Sequence, residues 1–230
     1  MDRKIYAIGD IHGRLDLLDA ALDRIEQHAG SAGADIIGLG DYIDRGPDSC
    51  AVVETLIRGA RRPADRLRCV MGNHEYMLVR VMDEPWTLGV WLENGGAQTL
   101  ESYGIARDIA APLDSIPVQH LDWMSGLPLH IETEHQIFVH AGLGPPADLC
   151  RQKDVDKIWI RDDFLNVEFD FGKHVVHGHT PRFAGADRHR YRTNLDSGAV
   201  WTGMLSVGVF DPLRPGGPVD LIAVTDGVGR

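Results

Sequence analysis

The stretch ADIIGLGDYIDRG (residues 34–46) joins an apolar run to a polar loop holding two aspartates, an arginine and two glycines. The run reads as a strand covered on both faces, and Asp41 stands where it ends. The same punctuation recurs along the chain. KIYAIGD (residues 4–10) ends at Asp10 and continues into Ile11, His12 and Gly13. RLRCVMGNHE (66–75) ends at Asn73 and His74, HQIFVHAG (135–142) at His140, and KHVVHGHT (173–180) at His179. Helical patterns separate the early runs. Leu15, Leu18, Leu22 and Ile25 form one apolar stripe, and PDSCAVVETLIRGA (47–60) opens near Pro47 and closes near Gly59. Strand, loop, helix, strand is the grammar of an α/β fold, in which ligands gather beyond the carboxyl ends of the strands.

The remaining stretches set the organisation. The chain of 230 residues is long enough for one full core, and residues 1–230 read as a single catalytic domain. Residues 76–135 read as a helical insertion beside the strand ends, with Trp86 and Trp91 expected as core residues. After His179 the pattern is antiparallel: GAVWTGMLSVGVFD (198–211), a Pro-Gly-Gly-Pro loop, then VDLIAVTD (219–226). The last four residues, GVGR, read as loose.

Charge and cysteine usage exclude several classes. A formal charge of −11 repels a phosphodiester backbone, so no extended nucleic-acid interface is expected. Cys50, Cys69 and Cys150 are odd in number and far apart, which argues against disulfides and cysteine metal sites. Cys69 reads as a buried strand residue. No leader and no membrane-crossing run is read, so a cytoplasmic protein without membrane contact is the expectation. A monomer is favoured.

Six strand-end residues carry metal-ligand chemistry: Asp10, His12, Asp41, Asn73, His140 and His179. Singly, each is an ordinary turn, cap or loop residue. Together they are too many for one open catalytic ion and suit two ions sharing a carboxylate. Two divalent cations bring four positive charges; Asp10, Asp41 and a bridging hydroxide remove three, leaving a surplus that attracts a phosphate dianion. His177 and His179 point to the same face of an extended strand, so spacing leaves the choice between them open.

The motifs GDIHG, GDYIDRG, GNHE, HAG and HGHT, in this order, resemble the series of the calcineurin-like metallophosphoesterases. More narrowly, they resemble the phosphoprotein phosphatase family and its bacterial and bacteriophage lambda-type serine/threonine phosphatases. WLENGG, IWIRDDF and NLDSGAVW are similar to stretches of bacterial members. The resemblance implies an α/β/β/α sandwich of two mixed sheets flanked by helices. It implies two divalent metal ions, manganese first, with iron or zinc as alternatives. Asp10 and His12 would bind the first metal, Asp41 would bridge, and Asn73, His140 and His179 would bind the second; the ligand is then His179 and not His177.

The opening loop acquires a role on this reading. Asp44 would orient His74 as general acid, and Arg45, with its planar fork, would bind phosphate beside Arg161. Attack would be in line, by a metal-bridging hydroxide, without a phosphoenzyme. Arg182, Arg188, Arg190 and Arg192 are candidates to extend the phosphate surface, whereas RGARRPADRLR (58–68) reads as solvated. Met71 departs from the lambda-type pattern, which has arginine there.

The expected substrate is a phosphorylated protein or a small phosphate ester. Symmetrical diadenosine tetraphosphatases share most of the metal motifs but often lack the aspartate of DRG, so Asp44 favours a serine/threonine protein phosphatase. A nuclease or phosphodiesterase fits the acidic charge poorly. A non-catalytic binding module would have eroded ligands, and none is eroded.

Overall fold

The computed structural model describes residues 3–105, 113–145 and 148–227. Residues 228–230 of the terminal GVGR, and residues 106–112 of the middle segment, lie outside the described residues.

Two five-stranded mixed sheets are stacked. The first contains β1 (Lys4–Ile8), β2 (Ala34–Gly38), β3 (Arg66–Cys69), β9 (Met204–Phe210) and β10 (Asp220–Thr225), in the order β10-β9-β1-β2-β3. β1, β2 and β3 run parallel, while β9 is antiparallel to both β1 and β10. The second sheet contains β4 (His130–Glu132), β5 (Gln136–Val139), β6 (His174–His177), β7 (Asp187–Arg188) and β8 (Arg192–Asn194), in the order β4-β5-β6-β8-β7. Its parallel strands are β5, β6 and β8, with antiparallel β4 and β7 at the edges.

Alternation along the strands builds the layers. Ile5 and Ala7 of β1 face the second sheet, where they join Ile37, Phe138, Val176 and Phe210 in a buried cluster. Phe138 and Phe210 meet edge to face at 5.6 Å across this gap. Tyr6 and Ile8 point the other way, into α1 (Leu15–Ala29) and α2 (Ser49–Arg58), where Leu18, Leu22, Ile25 and Val52 are buried. The outer face of the second sheet is covered by the segment that holds α7 (Asp154–Trp159) and α8 (Asp162–Leu165), with Phe164 packed on Ile137, Val139 and Val175. Helix, sheet, sheet and helical layer follow in that order, as the motif resemblance implies.

The middle segment holds α3 (Asn73–Asp83), α4 (Leu88–Trp91), α5 (Ala97–Ser102) and α6 (Val118–Ser125), packed around Leu78, Val81, Trp91 and Met124. It then turns into β4, so residues 130–132, read as part of the helical stretch, form an edge strand. The stretch 198–211 likewise begins as a helical turn, α9 (Ala199–Thr202), between left-handed Gly198 and Gly203, before β9 starts at Met204. Cys69 is buried, as its strand position suggests. The arginine run 58–68 is surface: Arg61 pairs with Asp19 and Asp23, and Arg62 with Asp65. Among the described residues, no helix is long and apolar enough to cross a membrane.

All six parallel strands deliver their carboxyl ends to one edge of the sandwich. The sheets touch there: a Cβ on Gly9, after β1, would stand 2.1 Å from the Leu195 carbonyl oxygen after β8. His174 opens β6 nearly enclosed, its Nε2 2.8 Å from the Thr193 hydroxyl, and burial pushes its pKa down to about 4. An unfolded histidine titrates near ~6.5. The unfolded chain therefore gains this proton first as pH falls, and the stability His174 contributes is whole above pH ~6.5 and drains toward pH ~4. The melting temperature should fall across that window, and a His174→Gln variant, compared by thermal melts at several pH values, should lose less of it.

Candidate metal centre

Asp41 sits at the centre of the strand-end cluster. Its carboxylate belongs to two buried groups whose ligand atoms lie within 4.8 Å of one another, one with His12 and His74, the other with His140 and His179. Oδ1 is 3.3 Å from His140 Nε2, while Oδ2 is 3.5 Å from His12 Nε2 and 3.8 Å from His74 Nε2. Burial alone would raise its carboxyl, but its place among His140, His74, His12 and His179, of which His74 favours the charged form, holds it below the usual carboxylate range. Asp10 lies beside Asp41 and accepts the backbone N–H of His179 at 3.1 Å.

The histidine tautomers are set from behind. His12 Nδ1 lies 2.9 Å from the Ile43 carbonyl, and His140 Nδ1 lies 2.9 Å from the Leu39 carbonyl. A carbonyl only accepts, so each Nδ1 carries the proton and each Nε2 presents a lone pair to the centre. Burial lowers the pKa of His12, His140 and His179 and keeps them neutral. His140 Nε2 then faces Asn73 Oδ1 at 2.9 Å, acceptor against acceptor, and His179 Nε2 is buried without a hydrogen-bond partner. The lone pairs of His140, Asn73 and His179, facing one another without a donor beside two carboxylates, fit divalent cations. The rings of His140 and His179 lie 5.0 Å apart, whereas His177 packs against Phe164 with its Nδ1 3.1 Å from the Gly178 carbonyl. The structure thus brings His179, and not His177, to the cluster.

His74 looks both ways. Its Nε2 faces Asp41, and its Nδ1 donates to Asp44 Oδ2 at 2.6 Å. Burial opposes a charge on this ring, but Asp41 and Asp44 outweigh burial and raise its pKa above the ordinary value. Asp44 is itself fully buried and held by the indole N–H of Trp91, at 2.9 Å from Oδ2, and by the Thr99 hydroxyl, at 2.7 Å from Oδ1. Oδ2 accepts from Trp91 and His74 together, and a carboxylate held by these donors keeps the proton on the imidazole.

Trp91 is therefore more than a core residue, and Trp86, expected in the core with it, is 78% exposed. The helical segment that carries Trp91 also meets Arg45 directly. Arg45 donates its backbone N–H to Gly95, whose φ is +106°, and a Cβ on Gly95 would stand 2.8 Å from that nitrogen. The Arg45 guanidinium reaches inward, with Nη1 2.6 Å from His12 Nε2. Arg161 is exposed at the rim, near enough for its charge to act on His140 and His179.

Backbone strain is concentrated here. Among the described residues, the non-glycine positions with positive φ are His12, Asp41, Asp44, Arg45 and His179. Glu75, fully buried, holds Asp41 in line: it accepts the N–H groups of Gly72 (3.0 Å), Asp41 (2.9 Å), Tyr42 (2.7 Å) and Ile43 (3.3 Å). Two glycines clear space for the carboxylates. A Cβ on Gly72 would stand 2.3 Å from Asp41 Oδ1, and one on Gly178 2.0 Å from Asp10 Oδ1. The sequence reading also passed over Asp196, which is buried beside Asp10 and Asp41 with its pKa pushed up to about 6 by burial. Its signal was its place at the end of β8, inside the quoted NLDSGAVW.

Three of the arginines after His179 have partners of their own. Arg192 is buried on the outer face of the second sheet, donating to the Leu165 carbonyl, Arg190 stacks on Tyr191, and Arg182 lies 3.4 Å from Asp187. Strand alternation turns Arg192 away from the strand ends. Met71 is buried and gives its backbone N–H to Pro128, so its position supplies no cation.

Replacing Glu75 by Gln puts an amide N–H₂ against the row of backbone donors. The variant should lose about 2–3 kcal/mol, read from the urea midpoint, because at least one buried N–H loses its acceptor.

A family model described as calcineurin-like phosphoesterase matches residues 3–220. Serine/threonine-protein phosphatase 1 of Salmonella typhimurium is 30% identical over 217 residues, which cover 89% of this chain and 91% of that protein. The symmetrical bis(5′-nucleosyl)-tetraphosphatase of Citrobacter koseri is 30% identical over 199 residues, covering 82% of this chain and 62% of that protein. Among solved structures, a candidate diadenosine tetraphosphatase superposes with a TM-score of 0.71 at 23% identity, covering 100% of this chain and 96% of that one. A cold-active protein-tyrosine phosphatase of a psychrophilic Shewanella follows with a TM-score of 0.65 at 16% identity, covering 94% of this chain and 80% of that one. The structural likenesses carry the fold, the family model and the sequence relatives carry the descent, and the chain belongs to the calcineurin-like phosphoesterase family, a hydrolase of phosphate esters.

Proposed function

We propose that this chain is a metal-dependent phosphomonoesterase of the cytoplasm acting on phosphoserine and phosphothreonine in proteins. The observation that carries the reading is the 2.6 Å contact between His74 and Asp44, with the other ring nitrogen facing Asp41. A protonated imidazole aimed at the cluster is a general acid for a leaving group that needs a proton, as a serine or threonine alkoxide does. The match to the Salmonella phosphatase over 91% of its length supports the same choice.

Asp10, His12 and Asp41 would hold one divalent cation, and Asp41, Asn73, His140 and His179 a second. Manganese is the first candidate, with iron or zinc also suited to oxygen and nitrogen donors. When bound, the pair supplies Lewis acidity and a water whose pKa approaches ~7. Arg45 grips two phosphate oxygens with its planar fork, and Arg161 adds a second cation from the rim. This holds phosphorus in line between the entering oxygen and the leaving oxygen. His74 passes the proton at its Nε2 to the leaving oxygen as the ester bond breaks. Asp44 stays anionic, fixing the ring through Nδ1–H, while Trp91 and Thr99 fix Asp44.

Symmetrical dinucleoside tetraphosphate hydrolysis is the second reading. The structural likeness to a candidate diadenosine tetraphosphatase over the whole chain favours it.

Two measurements test these assignments. Specificity constants under manganese, on a phosphothreonine peptide and on diadenosine tetraphosphate, should favour the peptide; a large preference for the dinucleotide would replace the first reading by the second. His74→Asn should lower turnover of an alkyl phosphate by roughly 10²–10⁴. The loss should shrink for an aryl phosphate whose leaving group needs no proton. Equal losses on both would remove His74 from the acid role.

A further inference from the structure

Outside the ligand cluster, two large aromatic side chains stand in solvent beside the phosphate-binding arginine. Phe183 is 63% exposed and Trp201 is 42% exposed, and their ring centroids lie 6.0 Å apart. The mechanism above uses neither, and exposed aromatic surface of this size needs a reason.

Both rings are placed by the site itself. Phe183 follows the ligand loop after His179, and that loop is pinned where the Arg182 N–H donates to the Asp196 carbonyl at 2.8 Å. Trp201 lies on α9, directly after the Asp196–Gly198 turn, where Asp196 Oδ1 accepts the Gly198 N–H. Arg14 holds α9 from the other side through the Ala199 carbonyl. Gly198 is the bare floor between the rings: a Cβ there would stand 2.8 Å from the Phe183 ring and 3.3 Å from the Trp201 ring. The Arg45 guanidinium lies 5.2 Å from the Trp201 ring centroid and at the same time reaches His12 with Nη1. The rings therefore stand about one guanidinium breadth outside the ligand cluster.

We propose that Phe183 and Trp201 form a stacking platform for the nucleobase of a nucleoside phosphate whose phosphate is held by Arg45. The spacing selects a nucleobase over a phosphotyrosine ring. In phosphotyrosine the ring hangs directly on the ester oxygen, whereas in a nucleotide a ribose separates base from phosphate and carries the base past the guanidinium to the aromatic pair. A base has a π-face for either ring, and such stacking tolerates any base identity. The platform deepens the second reading above, nucleoside polyphosphates, by assigning the residues that take the base. It rests on phosphate-ester binding at this site, whichever ester is physiological.

The test compares adenosine 5′-monophosphate with ribose 5-phosphate, which share the phosphate and sugar and differ in the base. Calorimetric titration of the full chain with manganese present should show the nucleotide binding about 5- to 100-fold tighter. Phe183→Ala should remove most of that advantage, leaving ribose 5-phosphate binding and phosphothreonine-peptide turnover unchanged, and Phe183→Trp should keep it. Trp201→Leu should remove the advantage and also weaken ribose 5-phosphate, because Arg45 loses its ring. Equal affinity of the wild-type chain for the two ligands would overturn the platform. So would a Phe183→Ala variant that loses both ligands alike, since the ring would then only support the loop. A wild-type chain that binds the nucleotide selectively but hydrolyses no phosphate ester would support the platform and sink the hydrolase mechanism instead.

Discussion

The carboxylate of Glu75 is the hinge pin of this molecule. It gathers a row of backbone N–H groups around Asp41 and so keeps that residue in a left-handed conformation that an aspartate seldom adopts. With the backbone fixed, Asp41 is shared by both buried groups of candidate ligands. Both sheets also depend on this turn, because His140, at the end of β5, gives its Nδ1 proton to the Leu39 carbonyl two residues before it. One hydrogen bond thus ties the second sheet to the first and sets the imidazole tautomer. Fold and chemistry share the same few contacts.

The electrostatics follow from this enclosure. Burial disfavours every charge in the cluster, and neutral histidines cost least there. His74 is the exception because it alone lies between two carboxylates. The chain places one protonated imidazole among neutral ones by arranging acids around it, and needs no arginine or helix end to do so. The net negative charge of the chain disfavours polyanions, while Arg45 reaching into the cluster and Arg161 at its rim are local cations.

The strand ends were legible in the sequence because Gly, Asp, His and Asn interrupt apolar runs, and that contrast survives without any tertiary information. Asp10, His12, Asp41, Asn73, His140 and His179 were all singled out this way as candidates, and the structure draws them to one edge. The partners of Asp44 were not legible. Trp91 and Thr99 lie 47 and 55 residues away in sequence, and a tryptophan in an apolar helix reads as core until packing shows where its N–H points. Glu75 sat inside a quoted motif, yet its work is done on backbone groups, which carry no sequence signal. Asp196 looked like any turn aspartate because β8 is only three residues long and has no apolar run to announce it. Among the arginines after His179, Arg192 shows a related limit: proximity along the chain does not say which face of a short strand a side chain takes, and Arg192 faces outward.

The glycines at positions 72 and 178 carry no reactive atom, yet each leaves the hollow that a carboxylate occupies. A catalogue of inactivating substitutions would therefore extend past the chemically active side chains to these silent positions. Even alanine, the mildest replacement, would press a methyl group onto the oxygen of Asp41 or Asp10.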